Sequence, residues 1–119
     1  MDASGYLKAI KLLESDIPKH LVTLKYLTLY KQNAGVEIAG DGKKWAVLSS
    51  FPTSILSFDR EAYPRAKAAL FVNGTDDTLK LRLLRGLPKN NYIVRMNEAL
   101  DFSPLNDYRI SRGFAYNSY

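Results

Sequence analysis

The chain has 119 residues, is 46% hydrophobic and 24% charged, and carries a formal charge of +5 with one histidine and no cysteine. That length fits a single domain, residues 1–119, with one core, and the composition is that of a folding globular chain rather than a disordered one. Disulfides, thiol nucleophiles, Cys-ligated zinc and a His-rich metal centre are excluded. No apolar run reaches the roughly 18 to 20 residues that cross a bilayer. An intracellular, cytoplasmic protein without a membrane partner is therefore expected, and its positive balance favours an anionic ligand or nucleic acid.

Taken in chain order, Ser4 caps a first helix over residues 5–14, with Tyr6, Leu7, Ile10 and Leu13 on one stripe. Ser15 or Asp16 restarts the chain, Pro18 suits the first turn of a second helix, and Ile17, Leu21, Leu24, Leu27 and Tyr30 recur at helical spacing until Asn33 and Gly35 end it. The period then changes to that of strands. Residues 36–39 and 45–49 form a hairpin about a turn at Gly40-Asp41-Gly42, and residues 55–58 and 68–72 read as two more strands. Between those two, residues 59–67 are polar, contain Pro64 and read as a loop. Asn73-Gly74 reads as a turn, Thr75 as the cap of a third helix over residues 76–85, and Gly86 as its stop. Strands at residues 92–96 and 108–119 complete the chain. The expected fold is α+β: a helical pair, then a mostly antiparallel mixed sheet with one further helix.

QNAGVEIAGDGKK, residues 32–44, is the stretch most like a phosphate loop. A P-loop needs Gly, four residues, Gly, Lys and Ser or Thr at the start of a helix. Counted from Gly35, Asp41 stands where the lysine belongs; counted back from Gly42-Lys43, Glu37 stands where glycine belongs. A strand rather than a helix follows. The stretch therefore reads as a helix C-cap at Gly35 and a hairpin turn of two or three residues. Gln32-Asn33-Ala34-Gly35-Val36-Glu37 approaches the Gln/Arg-x-x-Gly-x-Gly/Ala coenzyme A loop of GNAT acyltransferases, but it ends on Glu37 and has the wrong element order.

Other candidates are isolated. His20 has no Ser or Cys partner nearby in sequence and reads as structural or exposed. Asp59 and Glu61 could pair as carboxylates, though loop acids are usually solvated. Asn73-Gly74-Thr75 has the form of a glycosylation site but reads as a turn and cap.

Across most of its length the chain resembles the N-terminal half of two-part GNAT acyltransferases, including the glycine N-acyltransferase-like group. The resemblance is carried by LLRGLPKNNYIVRMNEAL and LNDYRISRGFAYNSY. It includes the acid-Pro-x-His-like start Asp16-Ile17-Pro18-Lys19-His20, the segment Leu87-Pro88-Lys89-Asn90-Asn91-Tyr92 that enters a strand, and the ending from Tyr108 to Tyr116 around Gly113. It implies a helical pair, a hairpin, a strand, a helix and a further strand. No stretch matches the family's catalytic half, which carries the coenzyme loop.

The resemblance implies a non-catalytic domain of a longer acyltransferase, supplying acceptor-substrate surface or an interface, and an enzyme only when joined to a catalytic half. No catalytic, metal or cofactor-binding residue is assigned to this chain, and acetyl-CoA or acyl-CoA would belong to the other half. Trp45 and Phe51 read as core and turn residues that could also line a ligand cleft, and with Tyr92 and Tyr116 they are the residues put forward for substrate or interface. The expected partner is the catalytic domain or another protein, held through the C-terminal strand. The alternative from another class is a small basic interaction module that binds nucleic acid or serves as a subunit of a larger assembly.

Overall fold

The computed structural model describes residues 3–88 and 90–95. Four helices, α1 (Ala3–Leu13), α2 (Ile17–Leu29), α3 (Ser57–Ala62) and α4 (Asp77–Arg85), accompany four strands, β1 (Gly35–Gly40), β2 (Trp45–Pro52), β3 (Ala68–Gly74) and β4 (Tyr92–Arg95). The strands form one sheet in the order β1-β2-β3-β4. The first two neighbouring pairs are antiparallel, and β4 runs parallel to β3 across the α4 crossover. The fold is α+β, as the sequence implies.

Alternation along the strands sends two sets of side chains to opposite faces. On one face Trp45, Val47, Phe51, Ala69, Phe71 and Ile93 pack with Tyr6, Ala9, Leu13 and Leu27 of α1 and α2. On the other face Leu48, Leu70 and Val72 pack against Leu84 of α4. β2 lies inside the sheet and is buried almost throughout. β1, an outer strand, is half-buried and shows Glu37 to solvent, where a charge discourages pairing with another chain.

Several local expectations are corrected. α1 starts at Ala3, so Ser4 lies within its first turn. α2 is capped at its start by Asp16, whose side chain accepts from the Lys19 N–H at 3.4 Å. It ends at Leu29, followed by a 3-10 turn over Lys31–Asn33, and Gly35 belongs to β1. The side that α2 buries is His20, Thr23 and Leu27, while Ile17 and Leu21 of the expected stripe face outward. The hairpin loop spans residues 41–44 rather than two or three residues. Asp41 closes it by accepting from the Lys43 and Lys44 N–H groups at 2.8 and 3.3 Å. These bonds hold its carboxylate below the usual range.

The strand expected at residues 55–58 is absent. A 3-10 turn over Thr53–Ile55 leads into α3, which also takes residues 59–62 from the expected loop. Four apolar or small residues in a row do not distinguish strand from helix, and Asp-Arg-Glu-Ala favours the helix. Asn73-Gly74 is not a turn but the end of β3, paired with Val47 and Ala46. Gly74 has φ +152°, and a Cβ there would sit 2.4 Å from the Trp45 carbonyl oxygen, which excludes any other residue. Gly40, at φ +89°, is similarly crowded against the Lys44 carbonyl. The cap of α4 is Asp76, whose carboxylate accepts from Leu79 N–H at 3.2 Å. Thr75 joins the hairpin instead: its hydroxyl donates to the Lys43 carbonyl and accepts from the Trp45 N–H, each at 3.1 Å. The strand expected at residues 108–119 and the last residue of the one at 92–96 lie outside the described residues.

Candidate functional site

Arg95 closes β4 directly opposite Phe71, on the sheet face that α2 covers. A guanidinium on a largely apolar face needs a partner. Asp59 of α3 supplies it, accepting from Arg95 Nη2 through Oδ1. The Arg95 side chain is 16% exposed and that of Asp59 only 3%. α3 is held in place for this contact by the turn before it. The Thr53 hydroxyl donates to the Ala66 carbonyl at 2.7 Å, and Arg60 Nη1 donates to the Ser54 carbonyl at 3.0 Å. The Lys67 N–H in turn donates to the Asn91 carbonyl at 2.7 Å, joining the entries of β3 and β4.

Tyr26 of α2 lies over the same part of the sheet. Its ring is 4.7 Å from that of Phe71, 5.7 Å from Phe51 and 5.5 Å from Tyr30, centroid to centroid. Burial pushes its phenol above the ordinary value; Arg95 opposes the shift, and Asp59 and Tyr30 add to it. At neutral pH the phenol is thus a neutral donor. Asp59 Oδ2 and Arg95 Nε are buried with no hydrogen-bond partner. Each of the two side chains therefore keeps one polar atom closed off from solvent and without a hydrogen bond.

A second polar group lies along α2. The Leu13 carbonyl can only accept, so His20 Nδ1 donates to it at 3.0 Å. Nε2 is buried without a partner. The ring meets Trp45 edge-on at 5.6 Å, and α2 kinks at His20, where φ and ψ are −108° and 15°. The Thr23 hydroxyl donates to Asn73 Oδ1 at 2.7 Å. Asn73 is thereby committed to the interior.

The residues expected from sequence do not converge. Trp45 and Phe51 are core side chains at opposite ends of β2, 3% and 0% exposed, and present no surface to a ligand. Tyr92 lies on the α4 side of the sheet with its hydroxyl donating to the Pro88 carbonyl at 2.7 Å. Tyr116 falls outside the described residues. Asp59 is buried and Glu61 exposed, so the two carboxylates do not pair. Arg95 and Tyr26 were not legible as site residues. The available signal was strand alternation, which puts Arg95 on the same inward face as Ile93.

Among the described residues no cluster of three acidic or histidine side chains could hold a metal ion. The start of α4 follows a strand and precedes a parallel one, the place where such folds often hold an anion. It carries Asp76 as cap and Asp77 in the first turn. No protein-family model, curated protein or solved structure matches the chain.

Proposed function

We propose that the chain is a non-catalytic domain of the GNAT N-terminal type, contributing acceptor-side surface or an interface to a separate half that binds coenzyme A. The observation that carries this reading is the order of elements. A helical pair precedes an antiparallel hairpin, the short α3, a third antiparallel strand, a helix and a strand parallel to the third. Apart from α3, that is the order of elements the resemblance implies. In the family's catalytic half the coenzyme loop follows a strand and opens a helix, and a junction of that kind in this chain is Gly74-Thr75-Asp76-Asp77. Two carboxylates there stabilise α4 through its dipole and repel a pyrophosphate.

Calorimetric titration with acetyl-CoA tests the reading. No binding tighter than about 1 mM is expected for this chain alone, and a micromolar Kd overturns it. The coding sequence downstream of Tyr119, or a companion chain, is expected to carry Gln/Arg-x-x-Gly-x-Gly/Ala between a strand and a helix.

A further inference from the structure

Two separate demands of the fold meet at the end of β3. Position 74 accepts only glycine, because a Cβ there would collide with the Trp45 carbonyl oxygen. Position 73 carries the amide whose Oδ1 accepts from the Thr23 hydroxyl of α2 at 2.7 Å, and the residue is buried. Side by side they make Asn-Gly, a dipeptide that occurs once in the sequence. That pair has a chemistry of its own. Glycine leaves its backbone nitrogen unshielded, so in an open chain the nitrogen can attack the asparagine side chain and close a cyclic imide.

In the folded chain two features keep the reacting atoms apart. Side chains in a strand stand off the sheet while backbone N–H groups lie within it, and Asn73 and Gly74 are both in the ladder, paired with Val47 and Ala46. Thr23 also draws the Asn73 side chain away toward α2. Local opening of the strand end removes both restraints. We propose that Asn73 is a site of spontaneous modification, reached when the start of β2 and the end of β3 part. The Gly74 nitrogen then attacks Asn73 Cγ, the bond from Cγ to Nδ2 breaks, and the Gly74 N–H proton leaves with Nδ2 as ammonia. Water opens the imide at either carbonyl, giving aspartate or isoaspartate. Thr23 is the residue that holds the reaction off. Both products damage the place they form in: aspartate puts an ionisable carboxyl where a neutral amide was buried, and isoaspartate inserts a methylene into the main chain between two paired positions. Conversion therefore marks, irreversibly, the chains that have opened at this end. The proposal is independent of the acyltransferase reading.

Peptide mapping by mass spectrometry tests it, on the full chain kept at mildly alkaline pH and sampled over weeks. In strong guanidinium chloride the peptide carrying Asn73 is expected to gain the mass of deamidation faster than any other asparagine peptide. In the folded chain the gain is expected to be measurable but at least about tenfold slower, since it waits on opening. Thr23→Val is expected to speed the folded reaction about tenfold by stranding the Asn73 amide oxygen, and Thr23→Ser to keep it near the wild-type rate. Low guanidinium chloride should leave the wild-type rate flat, because parting two strand ends exposes little surface. Asn73→Asp, the aspartate product, is expected to unfold at lower urea than the wild type. Equal rates in the folded and unfolded chains overturn the proposal, as does a folded chain that never converts while the unfolded one does. A Thr23→Val variant no faster than wild type overturns it too. So do a rate that climbs steeply from the first addition of denaturant, which places the reaction in global unfolding, and an Asn73→Asp midpoint equal to that of the wild type.

Discussion

α2 and α4 lie on opposite faces of the same sheet and are built on opposite plans. α4 has a carboxylate cap, an acid in its first turn and arginines in its last, and it lays leucines on aliphatic strand residues. Its one buried charge, Lys80, is paired with Asp77 at 3.4 Å. α2 has a looser cap, buries a histidine and a threonine, and turns aliphatic residues outward. Local rules therefore suffice for α4. α2 answers instead to residues distant in sequence, the aromatic and polar side chains of β2 and β3.

The comparison can be broken most forcefully through the core. Phe51→Ala, which removes a fully buried ring among Tyr26, Tyr30 and Phe71, should cost about 3–5 kcal/mol in urea unfolding. If Leu48→Ala on the α4 face costs more, the aromatic face is not the principal core. Arg95→Met leaves the Asp59 carboxylate buried without its counter-charge and should cost about 3–5 kcal/mol. Adding Asp59→Leu should restore much of that. No recovery would mean that the pair does more than hold α3 to β4.

Thr23→Val strands Asn73 Oδ1 in the interior and should cost about 1–3 kcal/mol, whereas an exposed α4 position such as Thr78→Val should change stability by less than about 0.5 kcal/mol. Comparable losses would erase the distinction between the helices. The smallest effect is alkaline. Because the Tyr26 phenol is raised in the folded state, it favours folding at and below the ordinary value of 10.0, and that contribution is lost as pH rises through the higher folded value. Unfolding free energy measured from pH 9 upward should therefore fall less steeply in Tyr26→Phe than in the wild type. An identical slope would show that the phenol is not shielded by the Phe71 and Phe51 rings.

The legibility of the chain follows the same division. The hairpin, β3 and α4 could be read because their signals are local: alternation, the Gly40 turn, acids ahead of α4 and Gly86 after it. Even so, the cap shifted from Thr75 to Asp76, and Asn73-Gly74 lost its turn to strand pairing. The inward face of α2 was misread, because its apolar residues occupy more than one side and the stripe chosen included the exposed Ile17 and Leu21, while its buried polar residues are satisfied by partners outside the helix. Thr23 meets Asn73 fifty positions away. α3 was missed because the apolar run at residues 55–58 reads equally as strand or helix and Pro64 made the polar residues after it read as a loop. The pair of Asp59 and Arg95 depends on α3 existing and on the register of β4, neither of which is a local property.

Thr75 has a consequence for how the molecule opens. Its backbone N–H donates to the Trp45 carbonyl at 2.9 Å, while its hydroxyl serves both the Trp45 N–H and the Lys43 carbonyl. The hairpin loop is thus fastened to the start of the crossover as well as to its own partner strand. Hydrogen exchange at the Trp45 amide then requires the Thr75 segment to detach, not merely the hairpin tip to fray. The first residue of β2 and the lead-in to α4 form one opening unit, joining segments thirty positions apart.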